Sequence, residues 1–156
     1  TDIILKAGKI WDKVPFPLLM IPNANLSYTI QYESYALMNA MEFLNDQYLS
    51  WDVTYFVNGA LLNRIPLIKE LRWREVLSFR GLYGDLSDKN NPAYSDGLYL
   101  FPEGSYKMEN KPYMEVGVGV ENIFRFLRFD YVWRLTYRDL PDVDTSGLRV
   151  SFHFTF

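Results

Sequence analysis

The stretch "LRFDYVWRLTYRD", residues 127–139, decides the fold. Leu127, Phe129, Tyr131, Trp133, Leu135 and Tyr137 share one parity, while Arg128, Asp130, Val132, Arg134, Thr136 and Arg138 share the other. A strand imposes this period of two, because successive side chains point to opposite faces, whereas a helix would scatter both sets around its cylinder. Arg128, Arg134 and Arg138 add a second constraint. Unpaired guanidinium groups in a dry core are very costly, so the polar face needs water or dedicated partners.

The same alternation recurs along the chain. "PYMEVGVGVENIF" sets Met114, Val116, Val118 and Val120 against Tyr113, Glu115, Gly117, Gly119 and Glu121, and Glu115 and Glu121 are placed to meet the arginines of the neighbouring strand as cross-strand pairs. The residues from Asn122 to Phe126 then form a tight turn. "LRWREVLSFRGLYG" sets Leu71, Trp73, Leu77 and Phe79 against Arg72, Arg74, Ser78 and Arg80, with Glu75 as the one misfit. "YLSWDVTYFVNG" sets Leu49, Trp51, Val53, Tyr55 and Val57 against Ser50, Asp52, Thr54 and Asn58. The ending "GLRVSFHFTF" puts Leu148, Val150, Phe152, Phe154 and Phe156 opposite Arg149, Ser151, His153 and Thr155. "YALMNAMEFL", Tyr35 to Leu44, fits a strand by its neighbours, although Leu37, Met41 and Leu44 also suit helical spacing. Residues 3–12 admit one more strand. Pro15, Pro17 and Pro22 then exclude a helix interior or a central strand, leaving an irregular apolar connection. The expected division is an irregular entry segment over 1–34 and barrel strands over 35–156.

Composition narrows the setting. The 156 residues fit about one domain, and the 16 basic and 19 acidic residues give a net charge of -3, which argues against a nucleic-acid partner. Aromatic side chains make up 17% of the chain, and rings favour both strands and membrane boundaries. Cysteine is absent, so neither a disulfide framework nor a zinc ribbon is encoded. No apolar run approaches the roughly 18 residues of a spanning helix, so a membrane protein with this sequence must cross with strands. The opening "TDIILKAGKIWDK" has the character of mid-structure, so a carboxy-terminal part of a longer chain is expected.

The connections are unequal in a patterned way. "GDLSDKNNPAYSDGLYLFPEGSYKMENK" and "DLPDVDTSG" fall at one end of the strands, and "NGALLNRIPLIKE" and "ENIFRF" at the other. Long loops outside and compact ones inside is the arrangement of outer-membrane barrels. Closure requires at least eight strands, so about six or seven leave the remainder to another part of the chain or to another chain. The expected fold class is therefore all-β: an antiparallel transmembrane β-barrel, of which these residues are the carboxy-terminal fragment.

Several stretches carry a resemblance. "VPFPLLMIPNANLSY", "ALMNAMEF", "FVNGALLNRIPLIKELRWR", "LYGDLSDKNN", "PYMEVGVGVENIFRFLRFDYVWRLTYRD" and "GLRVSFHFTF" resemble the carboxy-terminal region of large Bacteroidota outer-membrane proteins with an amino-terminal carboxypeptidase-like regulatory domain. The similarity spans about residues 14–156, with "NRIPL", "ENIFRFLR" and the aromatic terminus its more specific parts. It implies a barrel of unestablished function, an integral outer-membrane location and a periplasmic regulatory domain outside these residues. It implies no catalytic residues. Leu148, Val150, Phe152, Phe154 and Phe156 also resemble the terminal targeting signal of such barrels, which the barrel assembly machinery would recognise by strand addition.

Each sharper reading has a plainer competitor. His153 is the only histidine, and without a serine motif flanked by glycines its default is a solvated lumen side chain rather than a hydrolase base. Asp85, Asp88, Asn90 and Asn91 in "DLSDKNN" offer oxygen ligands for calcium, but the spacing is not that of an EF-hand loop, and an ordinary polar loop is preferred. Arg72, Arg74, Arg80, Arg128, Arg134 and Arg138 could line an anion pathway. A plugged interior in which arginines pair with Glu115, Glu121 and Asp130 is preferred. Trp51, Trp73 and Trp133 read as belt and lipid-facing rings rather than a sugar platform. The expected protein is no enzyme and needs no cofactor. It acts as a membrane-embedded scaffold or envelope-assembly subunit in contact with outer-membrane lipid, with other outer-membrane proteins or lipoproteins as candidate partners. The alternatives are a pore or receptor barrel for solute uptake, an outer-membrane hydrolase, and a soluble lipid-binding barrel.

Overall fold

A computed structural model of the chain describes residues 1–29 and 33–152. They form one antiparallel sheet of six strands: β1 (Asp2–Lys9), β2 (Gln47–Phe56), β3 (Arg74–Asp85), β4 (Tyr113–Ile123), β5 (Leu127–Arg134) and β6 (Ser146–Phe152). Each strand pairs with the next in sequence. The register keeps the parity sets together: Leu5 lies opposite Trp51, Phe79 opposite Val116, and Val118 opposite Tyr131. One face of the sheet is therefore apolar and ring-bearing from β1 to β6, and the other carries the charges.

The sheet is not closed, and β1 and β6 end it. Asp2 and Ile4 of β1 nevertheless line one cavity with Ser151 and Phe152 of β6 and with residues of β2, β3 and β5, so the sheet curls toward its charged face. On β6, Val150 N–H donates to Tyr28 O across the far edge (2.8 Å).

The core sits on the concave, charged side, between the sheet and residues 33–46. Tyr35, Met38 and Phe43 pack with Leu82, Met108, Tyr113 and Tyr137. Leu19 and Leu44 pack with Leu86, and Ala36 and Leu37 with Val132. Tyr35 meets the edge of Tyr113 with ring centroids 5.6 Å apart, and Phe43 lies 4.9 Å from Tyr137.

Three local expectations change. Tyr35–Leu44 is not a strand of the sheet but an insert with isolated bridges at Tyr35 and Phe43 and a left-handed Met41 (φ 56). At Ala36 and Leu37 its backbone groups bond side chains of the sheet, while Tyr35 and Glu42 bond backbone of other loops. β5 stops at Arg134, and Tyr137 at φ 54 breaks the parity, turning its ring into the core and leaving Arg138 exposed. β3 begins at Arg74 after a left-handed Arg72 (φ 53), so Leu71 and Arg72 belong to the preceding connection. The tight turn between β4 and β5 is present, with Phe124 and Arg125 both left-handed.

The meander sorts the connections. The connections that lead from β1 to β2, from β3 to β4 and from β5 to β6 start and end at one rim, and residues 57–73 and 124–126 lie at the other.

Candidate functional site

The chemistry of the molecule is concentrated where the charged face meets the insert. On β4 the inward positions are Tyr113, Glu115, Gly117, Gly119 and Glu121, all buried or without a side chain. Glu115 Oε2 accepts from Ala36 N–H (2.9 Å), and its Oε1 accepts from Leu37 N–H (2.7 Å) and from the Tyr113 hydroxyl (2.5 Å). From β6, Arg149 Nε and Nη2 donate to Ala36 O at 3.1 and 2.7 Å. Ala36 O and Leu37 N–H belong to one peptide unit. That single peptide thus lies between a buried carboxylate and a buried guanidinium, its dipole aligned with both charges.

A second clamp lies beside it. Arg134 of β5, fully buried, donates through Nη1 to Leu37 O (3.3 Å) and Glu42 Oε2 (3.1 Å), and through Nη2 to Glu42 Oε1. Its guanidinium also stands 4.8 Å from the centre of the Tyr113 ring, a cation–π contact. Asn39 N–H donates to the same Glu42 carboxylate (2.8 Å). A third clamp comes from β3: Arg80 bonds Asp52 of β2 (2.8 Å) and Ser34 O (3.1 Å). Arg128 and Asp130 of β5 form a bidentate pair at 2.8 and 2.7 Å. The charged face thus sets four guanidiniums, Arg80, Arg128, Arg134 and Arg149, against four carboxylates, Glu42, Asp52, Glu115 and Asp130. This balance is what makes so much charge tolerable away from bulk water.

Small residues make room for it. A Cβ at Gly119 would overlap the Asp130 carboxylate. Tyr35 completes the packing by donating its hydroxyl to Gly81 O (2.9 Å), and burial, with Glu115 and Asp52 nearby, pushes its phenol well above the usual range.

Among the expected charged residues, Glu115, Arg128, Asp130 and Arg134 come together here. Glu121 is buried further along β4, opposite Arg74 in register, away from the insert. Arg138 lies outside the network, exposed past the end of β5. Arg72 and Arg74 are exposed too. Leu148, Val150 and Phe152 sit on the ring-bearing face, while His153, Thr155, Phe154 and Phe156 fall outside the described residues.

In "DLSDKNN", Asn90 is buried and acts as a bracket. Its Oδ1 accepts from Val14 N–H (2.8 Å) and its Nδ2 donates to Asp46 (2.9 Å). Among the described residues no group of three or more His, Cys, Asp or Glu side chains is arranged to hold a metal.

No family model, curated protein or solved structure matches this chain.

Glu42 and Asp52 were not visible as partners in the sequence. Glu42 is the lone carboxylate in an apolar run, and that isolation was the available signal. Chemically, the arrangement holds a segment of chain against a wall. A cavity of about 230 Å³ remains toward the short-loop rim, lined by Asp2, Asp52, Arg80, Arg128, Asp130 and Ser151 among others.

Proposed function

We propose that these residues are part of the wall of an outer-membrane β-barrel whose interior is filled by its own insert, acting as a membrane-embedded scaffold or envelope-assembly subunit rather than as an enzyme or an open pore. The observation that carries this reading is the inversion of the usual soluble pattern. Leu5, Leu49, Tyr55, Phe79, Tyr131 and Phe152 are exposed on one continuous face, while Glu115, Asp130, Arg134 and Arg149 are buried on the other. Monomeric soluble proteins rarely expose contiguous apolar surface of this breadth.

Strand length supports the same reading. β2, β3 and β4 have 10, 12 and 11 residues, the length that crosses the hydrocarbon layer at the usual tilt is about 9–11, and Trp51 and Trp133 stand on the exposed side. Open edges in hydrocarbon leave backbone groups unsatisfied, so β1, and β6 beyond its bond from Val150 to Tyr28, would pair with strands from elsewhere in the longer protein suggested by the Bacteroidota resemblance. Assembly then passes through the barrel assembly machinery.

Fractionation and reconstitution test the proposal. The intact protein is expected in the outer-membrane fraction, extracted only by detergent, with heat-modifiable migration on gels and no steady conductance in planar bilayers. Release into the aqueous fraction by salt or carbonate overturns the membrane reading, and stable single-channel steps overturn the filled interior.

A further inference from the structure

The short-loop rim carries a feature that the barrel reading alone does not require. Glu75 shares the parity of Leu77 and Phe79, so its carboxylate belongs to the ring-bearing face, yet it is buried. Its Oε1 accepts from Leu61 N–H (3.0 Å) and from Leu62 N–H. A carboxylate on that side can reach those amides only if the β2–β3 connection folds outward over the same face.

The connection is further fixed where Val57 N–H donates to Glu75 O (2.9 Å) and where Asn122 Nδ2 donates to Arg72 O (2.8 Å), tying it to the β4–β5 turn. It contains a 3₁₀ turn at Leu62–Arg64 and the one-turn helix α1 (Pro66–Lys69). What it presents is apolar: Leu61, Ile65, Leu67 and Leu71 are exposed, Leu67 to 86%, and Phe124 of the adjoining β4–β5 turn is exposed beside them.

The charge around these side chains is one-sided. Residues 57–73 and 124–126 hold Arg64, Lys69, Arg72 and Arg125 against the single acid Glu70. At the opposite rim, residues 86–112 and 135–145 hold seven acidic residues against four basic ones. Apolar side chains ringed by cations are the composition that settles in a headgroup layer, where apolar burial and attraction to anionic lipid act together.

We propose that the β2–β3 connection is an interfacial foot, swung outward by Glu75 so that Leu61, Ile65, Leu67 and Leu71 lie among the headgroups of an anionic phospholipid leaflet. This rests on the barrel reading. The foot is the contact that sets how deep this rim sits, with Glu75 as its positioning residue and Arg64, Lys69 and Arg72 meeting the lipid phosphates.

The chain has no cysteine, so single labels report depth cleanly. Environment-sensitive probes at Leu67→Cys, Val118→Cys and Tyr99→Cys are read with depth-resolved quenchers, using the intact protein in vesicles of phosphatidylcholine with or without phosphatidylglycerol. The expected result places Leu67 at the headgroups, deeper when phosphatidylglycerol is present, Val118 among the acyl chains and Tyr99 in water. Joint charge reversal, R64E with K69E and R72E, is expected to abolish the dependence on phosphatidylglycerol. Glu75→Leu is expected to move the Leu67 probe toward water without moving Val118. A Leu67 probe in water beside a Val118 probe in the acyl region overturns the foot and leaves the barrel standing. A Leu67 depth indifferent to phosphatidylglycerol overturns the anionic partner and points to a protein surface instead. A Val118 probe in water removes the barrel reading itself.

Discussion

On β4 two chemistries alternate every 3.3 Å or so of rise. Met114, Val116, Val118 and Val120 point outward and none of them is buried, while Tyr113, Glu115, Gly117, Gly119 and Glu121 point inward, with Tyr113, Glu115 and Glu121 buried. In a soluble sandwich the enclosed face would be the apolar one. Here the enclosed face joins an apolar core to hydrogen bonds and ion pairs, and the apolar face is covered only near the short-loop rim, where the β2–β3 connection reaches Glu75. The two faces should therefore fail differently. The inner one fails by orphaning a charge, and the outer one by meeting the wrong solvent.

The largest effect is expected where an inner charge loses its partner. Arg134→Met removes the cation from Glu42 and a donor from Leu37 O while keeping much of the volume. Breaking a buried pair by deleting one partner costs about 3–5 kcal/mol, because the other charge stays buried. Denaturant unfolding reads this as a lower midpoint. Adding Glu42→Leu should recover a good part of the loss, giving a clear coupling energy in the double-mutant cycle. Simple additivity of the two substitutions would show that Arg134 and Glu42 do not act as a unit.

On the outer face the expected effect depends on the surroundings. Val118 lies between Leu77 and Tyr131 and is 45% exposed. In water Val118→Arg should change stability by no more than about 0.5 kcal/mol, as exposed substitutions usually do. At the middle of a bilayer the same change should cost about 2–4 kcal/mol. Unfolding titrations in lipid vesicles and in detergent of matched thickness should both show the larger cost. The smaller value would remove the contrast between the faces.

The sequence disclosed the faces but not what covers the inner one. Parity is a local property of the pleat, so Phe129, Tyr131 and Trp133 could be assigned to one side and Arg128, Asp130 and Arg134 to the other from the pattern alone. The insert is a different kind of object. Ala36 meets Glu115 across 79 residues and Arg149 across 113, and no local period encodes such contacts. "YALMNAMEFL" fits a strand only by its neighbours, yet its backbone at Ala36 and Leu37 bonds side chains of the sheet. Arg138 was misplaced for a related reason. Alternation is legible only while φ stays negative, and the left-handed Tyr137 ends it one residue earlier. Glu75 was visible as an exception, but its purpose depends on two amides that the chain brings back over it.

Tyr137 offers the finest test, because it crosses from the outer parity set to the inner core. Its hydroxyl accepts from Glu109 N–H (2.9 Å) and donates to Lys111 O (2.7 Å), so the side chain ties the β5–β6 connection to the end of the β3–β4 loop. Burial pushes the phenol above its ordinary value. A phenol that holds its proton more tightly when folded contributes stability that is complete below the unfolded pKa of about 10 and is lost as pH rises toward the folded value. Tyr137→Phe keeps the ring against Phe43 and removes only the hydroxyl, for an expected cost of about 0.5–1.5 kcal/mol at neutral pH. That difference from the parent should narrow above pH ~10, where the parent loses its advantage and the variant, with nothing to titrate at this position, does not. Other tyrosines titrate alike in both proteins and cancel in the comparison. A gap that stays constant from neutral to alkaline pH would show that the hydroxyl is no more protected in the fold than in the unfolded chain, and that the ring has not left the outer set for the core.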